Sequence, residues 1–342
     1  MTVSRETRYE TDAIVIGAGP VGLFAVFEFG MLRLSCHVVD ALEVIGGQLT
    51  ALYPEKPIYD IPGFPRILAA DLVERLAEQA EPFHPHYHMG VKVDSLLRLP
   101  DGRWEVGLSN GRGLVAPVVV IAAGAGAFGP NRPPLPDLHR YEEGKSVLYL
   151  VQRREDLRDK RVVIAGGGDS AVDWAISLAD MAARVMVVHR RPKFRAAPES
   201  EARLKAMAEQ GVVDLVIPYQ LQSLEGENGR LTAVEVATVE GQIRRLPADV
   251  LLPFFGLASD LGPIAQWGLA MSGPLITVEP STLATNLQGI FAIGDVASYP
   301  GKLKLILQGF SEAAMAAQAA FPVARPDQAL HFEHSTTSGV PA

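Results

Sequence analysis

Two glycine-rich segments carry a spacing that is typical of dinucleotide binding. They are Gly17-Ala18-Gly19-Pro20-Val21-Gly22 and Gly166-Gly167-Gly168-Asp169-Ser170-Ala171. In such a fingerprint the first glycine permits a tight turn, the second lets the backbone approach a pyrophosphate, and the third position packs a helix against a strand. The N-terminus of that helix adds N–H groups and a partial positive charge for the phosphates. Two fingerprints in one chain therefore predict two nucleotide sites.

The residue that ends the next strand in each unit indicates which nucleotide binds there. Each fingerprint follows an apolar run and opens a helical pattern, and a second strand pattern ends at the same distance from the first glycine. The first of these strands ends at Asp40, whose carboxylate accepts ribose hydroxyls and repels a 2′-phosphate. The second ends at His189 and is followed by the candidate 2′-phosphate ligands Arg190, Arg191 and Arg195. This contrast predicts NADPH at the second site.

Composition limits the other functions that the chain could have. With 342 residues, the chain is long enough for two domains, and a formal net charge of −8 argues against general nucleic-acid binding. No long uncharged apolar run predicts a membrane span, and the charged first residues do not resemble a signal peptide, so we expect a cytoplasmic protein. Cys36 is the sole cysteine and lies in a strand pattern, which predicts a buried, inert thiol. We interpret the histidine-rich segment 84–88 as a surface turn and expect no metal site.

The element order predicts an α/β protein with two Rossmann-like, three-layer dinucleotide-binding domains, the second inserted into the first. Residues 1–118 and 286–342 are expected to form the first domain, and residues 119–285 the second. The apolar strand that ends at Gly294-Asp295 returns the chain to the first domain, ahead of a long helical pattern. A loop rich in proline and aromatic residues, 53–65, is too irregular for a helix or a central strand.

Further motifs resemble the thioredoxin reductase branch of the flavoprotein disulfide reductases. These are the Gly46-Gly47-Gln48 turn, the strand Phe291-Ala292-Ile293-Gly294-Asp295 and the segment His189-Arg190-Arg191, which continues to Phe194-Arg195-Ala196. The resemblance spans nearly the whole chain and implies FAD in the first domain and NADPH in the second. One departure is decisive, because Leu150 and Arg153 stand where that branch carries its two redox cysteines. Without a dithiol, electrons cannot pass to a disulfide by thiolate exchange.

The remaining motifs resemble the thioredoxin-reductase-type ferredoxin–NADP⁺ reductases, which are homodimers. They are residues 46–56 (GGQLTALYPEK), 302–306 (KLKLI) and 334–338 (HSTTS). The resemblance implies hydride exchange with NADPH and one-electron exchange with ferredoxin or flavodoxin, with no side chain acting as acid, base or nucleophile. It implies that Tyr53 stacks on one face of the flavin and that His334, or alternatively Phe332, covers the other face from the partner subunit.

The resemblance and the fingerprints together give two sets of cofactor-binding residues. The expected FAD set is Gly17, Gly19, Pro20, Gly22, Asp40, Gly47, Gln48, Tyr53, Val93, Phe128, Asp295 and Thr336. The expected NADPH set is Gly166, Gly168, Asp169, Ser170, Ala171, His189, Arg190, Arg191 and Arg195.

Two alternatives remain open at this point. One is an NADPH-dependent flavoprotein reductase of another diffusible acceptor, such as a quinone or flavodoxin. The other is a non-catalytic sensor that binds FAD and NADPH. Because ferredoxins are usually acidic and this chain is acidic too, docking requires a local basic patch, for which Lys56, Lys302 and Lys304 are candidates.

Overall fold

The computed structural model describes residues 7–124, 126–151, 153–330 and 339, without the side chains of 127–129 and 257–259. The chain forms two compact units. The first contains Met1–Phe128 and Ser259–Ala342, and the second contains Gly129–Ala258. The chain crosses between the units within the strands Ala127–Pro130 and Leu257–Asp260, which pair with each other. The second unit is therefore an insertion in the first.

The observed boundaries, at 128 and 258, correct the expected ones at 118 and 285. The strand Val118–Ile121 pairs in parallel with Ala13–Ile16, in the middle of the first unit's sheet, so it cannot belong to the insertion. Ile264 and Ile276 are buried in the core of the first unit, although they precede the expected return point. The boundary error arises because strand pairing and core membership depend on contacts between residues that are distant in sequence.

The first unit is built on a five-stranded parallel sheet in which the strands Ala13–Ile16, Val118–Ile121 and Ile290–Ala292 are apolar along their whole length. Sheets of this kind are covered on both faces, so their strands do not alternate between apolar and polar residues. Helices α1 (Pro20–Met31) and α7 (Ile306–Ala324) pack against each other, and α1 also packs on α3 (Ala69–Ala80). The sheet order is Ile290–Ala292, Val118–Ile121, Ala13–Ile16, Cys36–Val39 and His86–His88.

Smaller elements complete the first unit. The short helix α2 spans Gln48–Ala51. A four-stranded sheet contains Arg8–Glu10, Gly113–Ala116, Trp104–Leu108 and Val93–Arg98. A three-stranded sheet contains Met271–Ser272, Leu275–Thr277 and Ala297–Ser298, and a two-stranded sheet contains Pro57–Ile58 and Ile67–Leu68. Single 3₁₀ turns span Glu81–Phe83, Gly262–Gln266 and Gly294–Val296.

The second unit has three layers, in which a parallel sheet lies between helices on one face and an antiparallel sheet on the other. Along the strand Arg161–Ala165, Val162 and Ile164 pack with helices α5 (Asp169–Leu178) and α6 (Pro198–Glu209), whereas Val163 packs with an antiparallel sheet on the opposite face. This division follows from the two-residue period of a strand. The parallel sheet contains Asp214–Val216, Arg184–Val188, Arg161–Ala165 and Val250–Pro253, and the antiparallel sheet contains Gln220–Glu227, Arg230–Ala237 and Ile243–Pro247. Helix α4 spans Leu138–Glu143 and a 3₁₀ turn spans Arg154–Leu157.

Across the described parts of both units, no helix is long and apolar enough to cross a membrane.

Candidate functional site

The three glycines of the first fingerprint differ in what surrounds them. Gly17 has a φ of +112° and its N–H donates to the carbonyl of Val39 at 2.8 Å. A Cβ atom at Gly22 would lie 1.9 Å from the Gly17 oxygen, so the turn and the helix permit no side chain there. A Cβ atom at Gly19 would meet no atom within 4 Å. Gly17 and Gly22 therefore serve the turn, whereas Gly19 leaves open space above the N-terminus of α1, where a pyrophosphate fits.

Asp40 connects the second strand to this turn. Its Oδ2 accepts the N–H of Ala18 at 2.7 Å, and its Oδ1 accepts the N–H of Leu42 at 2.9 Å. Burial raises the pKa of the Asp40 carboxyl, and these backbone N–H groups oppose the shift. Asp40 therefore stabilises the fingerprint turn in addition to facing the cavity beside it.

A cavity of about 670 Å³ opens along the fingerprint, within the first unit. Its volume is within the range of cofactor pockets. The cavity brings together most of the expected FAD residues, from five separate stretches of sequence: Gly17, Gly19, Pro20, Asp40, Gly47, Gln48, Tyr53, Val93 and Asp295. Gly22 does not line the cavity. The side chain of Phe128, together with Phe332, His334 and Thr336, lies outside what the structure describes.

The Gly46-Gly47-Gln48 turn fits against the fingerprint. The Gly46 N–H donates to the Ala18 carbonyl at 2.8 Å, and a Cβ atom at Gly47 would lie 3.1 Å from the Cα atom of Gly19. Helix α2 begins immediately afterwards at Gln48. The absence of side chains at 19 and 47 therefore lets two backbone segments approach the same part of the cavity.

Tyr53 and Asp295 lie at the same cavity. Burial raises the pKa of the Tyr53 phenol, and the negative charge of Asp295 raises it further. The Lys56 ammonium lies 5.7 Å from the centre of the Tyr53 ring, a cation–π contact that orients the ring. A planar aromatic side chain beside a carboxylate suits a flat ring system that carries hydroxyl groups.

Several residues of the cavity wall do not belong to the expected FAD set. Lys304 and Ile306 line it, as do Leu261, Gly262 and Pro263. The first two lie in the KLKLI motif, so the motif itself was a usable signal. The other three lie in a segment that was assigned to the second domain, and no local pattern connects them to the fingerprint.

The second fingerprint keeps the first two glycines of the motif, Gly166 and Gly168, and has Ala171 in place of the third. The Gly166 N–H donates to the Val188 carbonyl at 3.0 Å, and a Cβ atom at Gly168 would meet no atom within 4 Å, as at Gly19. Ala171 is buried at the position that corresponds to Gly22. A Cβ atom added at Gly166 would lie only 3.1 Å from this methyl group, so the turn stays closely packed at its first glycine.

The loop after the strand Arg184–Val188 folds back onto this fingerprint. The Arg195 N–H donates to the Gly167 carbonyl at 2.7 Å, and the Asp169 carboxylate accepts the Ala197 N–H at 2.9 Å. Asp169 thus has a structural partner, while its neighbour Ser170 is exposed in the first turn of α5.

His189 and the arginines differ in exposure. The His189 ring is buried, stacks on Phe194 at 5.1 Å and fills the space beside Gly167; burial and the nearby arginine charges lower its pKa. Arg190, Arg191 and Arg195 are exposed, and none forms a salt bridge with a described residue. Three exposed cations in the loop that folds back onto this fingerprint have the chemistry to hold a phosphate group.

Lys302 is not available for docking, contrary to the expectation. Its ammonium pairs with the carboxylate of Glu312, and its side chain is only 7% exposed. Lys304 is exposed at the cavity, and Lys56 lies over Tyr53.

The remaining candidate groups lie apart from this chemistry. Cys36 is buried, and burial raises the pKa of its thiol, so it is a poor nucleophile. His86 and His88 belong to the sheet's edge strand rather than to a turn, and His37 Nδ1 lies 3.0 Å from His88 Nε2. Among the described residues, no group of three or more His, Cys, Asp or Glu side chains has the geometry of a metal site.

Two mixed α/β units, each with a glycine fingerprint ahead of a helix, define a protein of the two-domain dinucleotide-binding class. The chain belongs to the pyridine nucleotide-disulphide oxidoreductase family, which matches residues 11–321. It is therefore an oxidoreductase, and the predicted fold is confirmed.

The comparisons with individual proteins agree with this. The chain is 69% identical to the ferredoxin–NADP reductase of Paramagnetospirillum magneticum, over 98% of this chain and 99% of the relative. It is 62% identical to the enzyme of that name from Rhodospirillum rubrum, over 99% of both. Its fold matches a crystal structure of Lactococcus lactis thioredoxin reductase with a TM-score of 0.79 at 22% identity, over 92% of this chain and 99% of that one. The resemblance inferred from the motifs is confirmed.

Proposed function

We propose that this chain is a ferredoxin–NADP⁺ reductase that holds FAD in the first unit and NADP(H) in the second. The observation that carries the proposal is the opposite charge after equivalent strands: Asp40 in the first unit, and Arg190, Arg191 and Arg195 in the second. In addition, the sole cysteine of the chain is buried. Relatives named ferredoxin–NADP reductase, at 69% and 62% identity over almost the full length, support the choice of ferredoxin.

The open space at Gly19 and the size of the cavity support FAD in the first unit. The pyrophosphate would lie over Gly19 at the N-terminus of α1, and Asp40 would accept the adenosine ribose hydroxyls. The Tyr53 ring would lie against the isoalloxazine, and Asp295 would accept hydroxyls of the ribityl chain. Offset stacking of this kind contributes roughly 0.5–1.5 kcal/mol beyond burial of the ring.

The second unit would bind NADP(H) through the same backbone geometry with a different charge. Gly168 leaves the space for the pyrophosphate, and the exposed arginines would hold the 2′-phosphate. Hydrogen bonds to charged groups contribute roughly 1.5–3 kcal/mol each, so two of them favour NADPH over NADH by about 10²–10⁴. The residue set at the strand end thus selects the coenzyme.

When bound, FAD supplies two-electron hydride exchange with NADPH and single-electron exchange with an iron–sulfur or flavodoxin partner. The side chains bind and orient the cofactors and none acts as acid, base or nucleophile. A disulfide acceptor route within the chain is excluded by the cysteine count of one.

The proposal includes a homodimer in the cytoplasm, with ferredoxin or flavodoxin as the partner. The net charge of −8 opposes an acidic partner, so we assign docking to the cavity edge where Lys304 and Lys56 lie. A quinone as acceptor, or a sensor without catalysis, is the competing function.

Spectroscopy and one assay separate these functions. The purified protein is expected to be yellow, and NADPH is expected to bleach it under anaerobic conditions. A colourless protein, or a yellow one that NADPH does not bleach, would exclude a reductase. NADPH-driven reduction of cytochrome c, with and without added ferredoxin, then tests the partner. If ferredoxin does not increase the rate and a quinone does, the ferredoxin assignment is wrong.

A further inference from the structure

Glu312 is a buried carboxylate to which the proposed binding roles assign no task. It lies on α7 and is only 1% exposed, with the buried Ala313 and Ala316 next to it on the helix. Removing a carboxylate from water is strongly unfavourable unless a cation and hydrogen-bond donors compensate for the lost hydration. The partners of Glu312 therefore indicate what it is for.

Three donors surround the two oxygens of Glu312. Its Oε2 accepts the backbone N–H of Gly294 at 2.7 Å. Its Oε1 accepts the Tyr299 hydroxyl at 2.5 Å and pairs with the Lys302 ammonium. The carboxylate thus connects helix α7 to the turn at 294 and to the loop at 299–302.

Gln308 extends the network toward the exposed side of the same loop. Its Nε2 donates to the Tyr299 hydroxyl at 2.6 Å, and its Oε1 accepts the Leu303 N–H at 2.9 Å. One face of α7 therefore holds the loop at residues 299, 302 and 303.

The segments held in this way form part of the cavity wall. Gly294 and Asp295 line the cavity, and Lys304 lines it one residue after the tether at Leu303. On its other side, the turn is fixed to the sheet, because the Ile293 N–H donates to the Ile121 carbonyl at 3.0 Å. The Glu312 bond at Gly294 is the next tether along the backbone, directly before Asp295.

We propose that Glu312, balanced by Lys302, is a positioning residue of the cofactor site: it holds the Gly294–Asp295 turn and the 302–304 segment in the shape that binds FAD. The inference rests on the proposed function, since it takes the ligand of this cavity to be FAD. Glu312 does not line the cavity, so it acts through the residues that it holds.

The variant Glu312→Gln tests this with little change in volume. Its amide has one acceptor and one donor group, so it cannot accept from both the Gly294 N–H and the Lys302 ammonium. In Glu312→Gln/Lys302→Met the amide oxygen can accept the Gly294 N–H and no unpaired ammonium remains beside it, so the tether at Gly294 is restored without charge. The measurement is the dissociation constant of FAD for the apoprotein, by flavin fluorescence.

We expect Glu312→Gln to weaken FAD binding about tenfold or more, the size of one lost hydrogen bond to a charged group. The double variant should return to within about threefold of the natural protein. Asp12→Asn is the matched control. It breaks the ion pair between Asp12 and Arg325, which joins the C-terminal end of α7 to the start of the strand Ala13–Ile16. Gly17 follows the other end of that strand. Asp12→Asn should leave FAD affinity unchanged even where it lowers the melting temperature.

The proposal is wrong if Glu312→Gln binds FAD as tightly as the natural protein, or if Asp12→Asn weakens binding to the same extent. If Glu312→Gln does not fold, the variant Gln308→Ala tests the proposal instead, because Gln308 lies half-buried at the outer end of the network. An unchanged FAD affinity in this variant overturns the proposal. A three- to tenfold loss of affinity, about the size of a neutral hydrogen bond, supports it. Failure of the natural apoprotein itself to bind FAD would instead reject the proposed function.

Discussion

A methyl group added at Gly19 should weaken FAD binding strongly without unfolding the protein. The backbone at Gly19 has φ −71° and ψ 179°, a conformation that alanine adopts readily, and the added Cβ would meet no protein atom within 4 Å. Replacing glycine by alanine at such a position typically adds about 0.4–1 kcal/mol of stability, because the unfolded chain loses freedom. The apoprotein of Gly19→Ala should therefore unfold at the same temperature as the natural protein or slightly above it.

The effect on the ligand should be large. The open space at Gly19 is where the pyrophosphate would approach the N–H groups at the start of α1. Each hydrogen bond from an N–H group to a phosphate contributes roughly 1.5–3 kcal/mol. If the methyl group displaces the pyrophosphate from two of them, the dissociation constant of FAD rises by about 10²–10⁴. Fluorescence titration of the apoprotein with FAD measures this directly.

Two further glycine variants act as controls. Gly22→Ala places a methyl group 1.9 Å from the Gly17 oxygen, so it should lower the unfolding temperature of the apoprotein by overpacking, which typically costs about 1–3 kcal/mol. Gly168→Ala adds a methyl group in the equivalent open space of the second unit, so it should keep FAD and weaken NADPH binding. Natural FAD affinity in Gly19→Ala would refute the placement of the pyrophosphate. If Gly19→Ala unfolds at a temperature as low as that of Gly22→Ala, the space at Gly19 is not open.

Three more predictions concern charge. Arg190→Ala/Arg191→Ala should raise the KM for NADPH about 10²-fold or more with little change for NADH, and an unchanged ratio of the two would show that the arginines do not bind the 2′-phosphate. Lys304→Glu should slow ferredoxin-dependent turnover and reverse its salt dependence, whereas Lys145→Glu, an exposed site in the second unit, should do neither. Burial, with smaller effects from the neighbouring histidines, lowers the pKa of His37 to about 4. Below an unfolded-state pKa of about 6.5 the unfolded chain therefore binds a proton that the native state does not. The free energy of unfolding should fall as the pH drops from about 6.5 to 4, by up to about 3 kcal/mol, and urea titrations of His37→Gln should show a shallower fall.

The features that the sequence predicted correctly depend mainly on neighbouring residues. A glycine fingerprint between an apolar strand and a helix specifies its own turn, and in both turns the N–H of the first glycine, Gly17 or Gly166, donates to a carbonyl of the next strand. The absence of a dithiol at Leu150 and Arg153 can be read from the sequence directly. The positions of Asp40 and His189, each directly after its strand, follow from the register of a strand–helix–strand unit. The nucleotide that each of them faces stays a prediction.

The tertiary structure decided the features that depend on residues distant in sequence. Lys302 looked like a docking residue because its own segment is basic, but folding places it against Glu312, where burial makes an ion pair necessary. The observed domain boundary differs from the expected one because Val118–Ile121 pairs with Ala13–Ile16 in the first unit. His86 and His88 lie in an edge strand rather than a turn because their strand pairs with the strand that contains His37. The sequence by itself determined which chemical groups are present and the shape of each local turn. Only the tertiary structure decided which of those groups meet, because pairing and burial are properties of contacts that no single segment contains.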